Sequence, residues 1–207
     1  MRICIFGAGA VGSHFAVRLA LAGHDVSCVM RGPHLEAVKA KGLKLRVGDA
    51  EFSARVQASD DPAALGPQDI VISTLKATGV SSLAMGLQPL LRDDTGIVFA
   101  QNGIPWWYDI GLAADHPAPP DLAFLDPGGR LRGAIPRERI IGGVIFSSNE
   151  VVEPGVVANL SRTGICCWSA NATTARPKGS SGCAQRSTRL RSGRRRSRGS
   201  GRRSGPS

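Results

Sequence analysis

Short apolar runs, separated by amphipathic or polar stretches, fill the first 160 residues of this 207-residue chain. Residues 2–6 form such a run and predict a strand. Residues 13–22 have helical spacing, with Phe15, Leu19 and Ala22 on one face and Gly23 as the stop. A second strand is expected at residues 25–30 and a second helix at 34–41, ended by Gly42. Residues 43–47 and 51–56 alternate apolar and polar around Gly48-Asp49, the pattern of a hairpin. The near-continuous apolar run at 69–75 suits a parallel strand buried on both faces. Residues 79–91 predict a helix, and residues 96–100, 140–146 and 156–160 predict strands. The Pro- and Gly-rich residues 113–137 predict a loop. Strands alternating with helices indicate a doubly wound α/β fold with a mostly parallel sheet.

The first strand ends abruptly at Gly7-Ala8-Gly9-Ala10-Val11-Gly12. A G-x-G-x-x-G turn between a strand and a helix, with a second strand following, is the setting of a Rossmann-like dinucleotide site. Gly7 permits the tight turn, Gly9 leaves the backbone open to a pyrophosphate, and Gly12 lets helix and strand pack closely. The helix start adds unpaired N–H groups and a partial positive charge. A nicotinamide site for NAD usually carries an acid at the end of the second strand to bind the ribose hydroxyls. Here the chain reads Val29-Met30-Arg31-Gly32, with no carboxylate before Glu36. The fork of Arg31 suits a 2′-phosphate instead, so NADP is the expected cofactor.

Ligands of open α/β sheets bind beyond the carboxyl ends of the strands. Two such ends carry chemistry. At Thr74-Leu75-Lys76-Ala77 an ammonium can meet a phosphate, a ribose or an anionic substrate. At Gln101-Asn102-Gly103-Ile104 an amide can bond both cofactor and substrate.

The net charge of +10 is unevenly placed. Residues 1–160 carry 14 Lys+Arg against 16 Asp+Glu, whereas residues 161–207 carry 12 Lys+Arg and no acid. The excess therefore lies wholly in the tail, and the body is an ordinary, slightly acidic globular sequence. Five cysteines form no C-x-x-C pair and no metal-ligand spacing with the four histidines. Cys4 and Cys28 fall in expected strands, where a thiol packs as a small hydrophobe. No run resembles a signal peptide or reaches membrane-spanning length, so a cytoplasmic protein is expected. The Asn159 and Asn171 sequons are then chance matches.

The motifs in order resemble the ketopantoate reductases (2-dehydropantoate 2-reductases). The matching residues are the glycine turn, Met30-Arg31-Gly32, Leu75-Lys76-Ala77-Thr78-Gly79-Val80, Gln101-Asn102-Gly103-Ile104-Pro105-Trp106-Trp107 and Val152-Glu153-Pro154-Gly155-Val156. The resemblance covers residues 1–164. It implies that Gly7, Ala8, Gly9, Ala10, Val11, Gly12 and Arg31 hold NADPH. It also implies that Lys76 and Asn102 lie where cofactor and 2-keto acid substrate meet, and that the reaction reduces ketopantoate to pantoate. The same resemblance places the proton-donating lysine and a substrate-holding glutamate in a C-terminal helical domain, of which this chain has no recognisable counterpart. No catalytic residue is therefore assigned within it, and low turnover is expected. A reductase of another 2-keto acid and a non-catalytic NADP-binding fragment stay open.

The pattern departs from the family at about Ile165. Residues 165–207 are rich in Arg, Ser and Gly, with Leu190 the only sizeable aliphatic residue beyond Ala184. Such a segment buries too little apolar surface to offset its ordering entropy, so a disordered basic tail is expected in place of the helical domain. It has no aromatic residue after Trp168 to stack bases, which weighs against a nucleic-acid partner. Translation in a shifted frame accounts for it better. Taking the last base of each codon with the first two of the next, Gly199 to Ser207 is compatible with I-R-T-A-I-W-P-K, similar to the family's catalytic-lysine segment. The coding DNA tests this: the shifted frame should stay open beyond the codon for Ser207 and encode further helical sequence. Stop codons there would refute the shift.

Overall fold

Eleven strands and four α-helices form from these runs among the described residues, which are 1–112, 115–161 and 167–171 of the computed structural model. In chain order they are β1 (Arg2–Phe6), α1 (Ala10–Leu21), β2 (Asp25–Val29), α2 (Gly32–Lys41), β3 (Leu43–Val47), β4 (Ala50–Ala54) and β5 (Gln57–Ser59). Then follow β6 (Ile70–Ser73), α3 (Leu83–Gly86), β7 (Gly96–Ala100), α4 (Arg130–Ala134), β8 (Ile140–Ile145), β9 (Asn149–Glu153), β10 (Val156–Asn159) and β11 (Cys167–Asn171).

Seven strands make the main sheet, in the order β11-β8-β7-β6-β1-β2-β5. All neighbours in it are parallel except β11, which runs antiparallel to β8. The strand order reverses beside β1, as in a Rossmann-like doubly wound sheet. A smaller sheet, β4-β3-β10-β9, packs beside it. Two buried clusters form the core. One joins Ile3, Ile5, Ala16 and Val17 to Leu43, Leu45 and Val157, so α1 and α2 lie between the two sheets. The other gathers Phe6, Val71, Leu83, Phe99, Trp106 and Leu131 on the opposite face.

Several boundaries and elements differ from the sequence expectation. Helix α1 starts at Ala10, three residues before Ser13, because Gly12 and Ser13 are buried inside the helix. Its deepest face is Gly12, Ser13, His14, Ala16 and Val17. Phe15 and Leu19 are only partly buried, and Ala22 is an exposed cap. Residues 79–91 do not form one helix: 3-10 turns at Ala77–Ser82 and Gln88–Leu90 flank the single turn α3. Pro89 lacks a donor N–H, and Gly86 sits against the Phe6 ring, where a Cβ would lie 2.9 Å from ring carbon.

The described residues of the expected loop, 115–137, are irregular except for their last part. There Asp126 accepts from the backbone N–H groups of Leu131 (2.9 Å) and Arg132 (3.1 Å), and α4 forms. The short strand β5 and the edge strand β9 carried no clear alternation. Strand β11 lies beyond the boundary expected at residue 164: an edge strand pairs through backbone on one side only, which asks little of its side chains. The remainder of the expected basic tail, 165–166 and 172–207, lies outside the described residues.

Phe99 anchors the second cluster, its ring meeting Trp106 edge-on at 5.6 Å and Trp107 at 4.7 Å. Phe99→Ala should cost about 3–5 kcal/mol of stability, seen as a lower urea midpoint with an unchanged slope. A change under about 1 kcal/mol would show that the cluster does not act as core.

Candidate functional site

The carboxyl edge of the main sheet holds every residue expected to bind cofactor or substrate. The glycine turn caps β1. Its Gly7 has φ +88°, and a Cβ there would fall 2.5 Å from Leu75. At Gly12 a Cβ would fall 2.5 Å from the Thr74 hydroxyl and 2.9 Å from Ile5. Close packing of α1 on β1 and β6 therefore requires glycine at that position. At Gly9 only the Gly7 carbonyl comes within 4 Å of such an atom, so the mouth of the turn is open.

Hydrogen bonds separate the residues that shape the turn from those that can donate. The N–H groups of Gly7 and Ala8 both go to the Val29 carbonyl at 3.0 Å, and that of Gly9 goes to the Gly7 carbonyl at 2.7 Å. Ala10, Val11 and Gly12 form the first turn of α1, whose N–H groups have no carbonyl within the helix to bond. No acid sits in that turn and no side chain caps it. Unsatisfied donors and the positive end of the helix dipole thus face the same opening. Gly7 and Ala8, assigned to the cofactor from the sequence, build the turn with their N–H groups turned inward.

The other candidates flank it. Arg31 is exposed two residues past β2, as the cap of α2. On the far side, Thr74 donates its hydroxyl to the Gly7 carbonyl at 2.8 Å, and Leu75 packs under Gly7. Lys76 follows directly and is exposed. Asn102 lies two residues past β7. Its amide nitrogen donates to the Ile145 carbonyl (3.0 Å) and its oxygen accepts from the Ile145 N–H (2.9 Å). The amide of Asn102 thus clamps β7 to β8, leaving one N–H and one lone pair for a ligand. Along the edge the order is Arg31, glycine turn, Lys76, Asn102, spread over three strand spacings or roughly 14 Å.

Sequence reasoning passed over Thr74, Ser13 and His34. The Ser13 hydroxyl bonds the Ala8 carbonyl at 3.0 Å and lies 3.1 Å from His34 Nε2. These partners are brought together only by folding. Cys4 and Cys28 are free and buried, as expected, and burial raises both thiols, Cys4 to about 12. No group of acids, histidines and cysteines able to hold a metal occurs among the described residues.

Residues 3–120 match the family described as ketopantoate reductase PanE/ApbA. A 2-dehydropantoate 2-reductase of Mesorhizobium japonicum is 42% identical over 161 residues, covering 77% of this chain and 49% of the relative. A crystal structure from Ralstonia solanacearum MolK2, described as a candidate ketopantoate reductase, superposes with TM-score 0.67 at 41% identity, covering 76% of this chain and 49% of that one. The 2-dehydropantoate 2-reductase of Geobacter metallireducens GS-15 superposes with TM-score 0.67 at 28% identity, covering 86% and 51%. The chain spans about half the length of these relatives.

Two histidines beside the glycine turn make folding sensitive to acid. His14 bonds Asn149 Oδ1 through Nδ1 at 2.7 Å, and its buried Nε2 has no partner among the described residues. His34 Nδ1 accepts from the Gly155 N–H at 3.0 Å. Burial lowers both below the ordinary histidine value, so both are neutral in the fold. A depressed value means that the unfolded chain takes up protons first. The stability these groups contribute is complete above about pH 6.5 and is lost as pH falls below it. The melting temperature should be flat from pH 8 to 7 and decline from about pH 6.5 toward 5, before carboxylates titrate. A flat profile over that window would refute this account.

Proposed function

This chain belongs to the ketopantoate reductase PanE/ApbA family, and from that membership we propose that it is the nucleotide-binding half of an NADPH-dependent reductase of ketopantoate. The observation that carries the reading is the sequence of groups along the sheet edge. A guanidinium, an uncapped helix start, an ammonium and an amide follow one another at the strand ends where such folds bind ligands. On this reading the NADP-binding domain expected at residues 1–164 takes in both sheets and reaches β11, beyond that boundary.

The residues present suit the dinucleotide. The N–H groups of Ala10, Val11 and Gly12 would bond the diphosphate, whose charge the α1 dipole offsets. Arg31 would pair its planar fork with the 2′-phosphate of NADP, and no acid stands in the first turn of α2 to repel it. When bound, the reduced nicotinamide would supply a hydride to the keto carbon. Lys76 would hold the anionic end of a 2-keto acid or a ribose hydroxyl, and Asn102 would use its spare N–H and lone pair at the junction. Cys4 and Cys28 are free and buried, which fits a reducing cytoplasmic setting.

Because the chain spans about half of its relatives, a second reading has its own support: an NADP-binding polypeptide without turnover. Titration and kinetics separate the two. NADPH should bind the purified protein, and Arg31→Ala should weaken it about 10- to 100-fold while NADH changes by less than about twofold. Equal losses for both nucleotides would remove the 2′-phosphate role from Arg31. NADPH oxidation with ketopantoate should stay near background, and a normal turnover number would overturn the view that a catalytic half is required.

A further inference from the structure

The Glu153-Pro154-Gly155-Val156 segment lies in the second sheet, yet its turn is linked to the glycine turn through the His34 and Ser13 side chains. Gly155, with φ +82°, points its N–H at His34 Nδ1 (3.0 Å). A backbone N–H only donates, so Nδ1 is the acceptor and, in the neutral ring, Nε2 carries the proton. Nε2–H therefore donates to Ser13 Oγ (3.1 Å), and the Ser13 hydroxyl donates to the Ala8 carbonyl (3.0 Å). One directed chain runs from the β9–β10 turn, through α2 and α1, to the second residue of the glycine turn.

We infer that His34 is a positioning residue for the nucleotide, holding the Ala8 carbonyl inward and tying the glycine turn to the second sheet. This rests on reading that turn as the NADPH site. The peptide is planar, so its carbonyl and N–H point opposite ways. Released from Ser13, the Ala8 carbonyl could rotate toward the mouth of the turn and set a partial negative charge against the diphosphate. His34 prevents this by filling the Ser13 oxygen with a donated proton, which commits the hydroxyl hydrogen to Ala8. His34 also lies about one helical turn beyond Arg31, so the same bonds fix the start of α2 that presents the guanidinium.

The second sheet thereby acquires a role. Lys44 N–H bonds the Gly155 carbonyl at 2.9 Å, and a Cβ on Gly155 would lie 3.3 Å from that of Ala37 on α2. The turn is thus held by β3 on one side and pressed against α2 on the other.

NADPH titration of the full chain and four variants tests the inference, with thermal melts to show that each is folded. His34→Leu and Ser13→Ala should each weaken NADPH about five- to tenfold. His34→Gln, which keeps a neutral donor and acceptor on one side chain, should bind within about twofold of wild type. The double variant should be no weaker than the worse single one, because both cut the same chain. Wild-type affinity in His34→Leu, additive losses in the double variant, or no rescue by glutamine would each overturn the inference. Should His34→Leu not fold, Ser13→Ala decides alone, since it removes one hydroxyl, and unchanged affinity there refutes the relay. A wild-type chain that ignores NADPH would instead overturn the nucleotide reading itself, and so is distinguishable.

Discussion

The absence of a side chain at Gly12 is the constraint on which the arrangement rests. Helix α1 approaches β1 and β6 so closely there that a methyl group would overlap the Thr74 hydroxyl and the Ile5 side chain. That approach sets the first turn of α1 directly above the carboxyl ends of the central strands. Thr74 completes the joint by bonding the Gly7 carbonyl, so the turn is held from β2 through Val29 and from β6 through Thr74. A helix end fixed on both sides keeps its unsatisfied N–H groups aimed at one point, without reorganisation when an anion arrives.

The second sheet makes this rigid rather than incidental. Helices α1 and α2 lie between two β layers, so the buried face of α1 is broad, with Gly12, Ser13, Ala16 and Val17 beside the buried His14. Polar groups within that interface are used for bracing. His14 meets Asn149, and Asn159 also donates to Asn149 at 3.0 Å, while His34 joins Gly155 to Ser13. Neutral histidines suit this role because each ring offers one donor and one acceptor with fixed directions. Their burial keeps them neutral, and the same burial makes the bracing sensitive to acid.

On the other face of the sheet the packing is aromatic. Phe99, Trp106 and Trp107 pack together near the end of β7, on either side of Asn102 in sequence. The Asn102 amide spans to Ile145, so the junction between β7 and β8 is pinned by both apolar contact and two hydrogen bonds. Lys76, by contrast, is exposed and makes no such bond among the described residues.

What could be read from the sequence alone was whatever depends on neighbours close along the chain. The apolar runs became β1, β6 and β7 because a strand buried on both faces must be largely apolar. The glycine turn was legible because a tight turn and a close helix approach each demand glycine at a fixed spacing. Residues 79–91 misled because helical spacing there cannot overcome Pro89 and the Phe6 ring against Gly86. The strand β11 could not be foreseen, since edge pairing draws on backbone and leaves no apolar pattern. Nor could the relay: Ser13, His34 and Gly155 are separated by 21 and 121 residues, and nothing local marks them as partners. Only the folded topology, which stacks a second sheet on the two helices, decides that they meet.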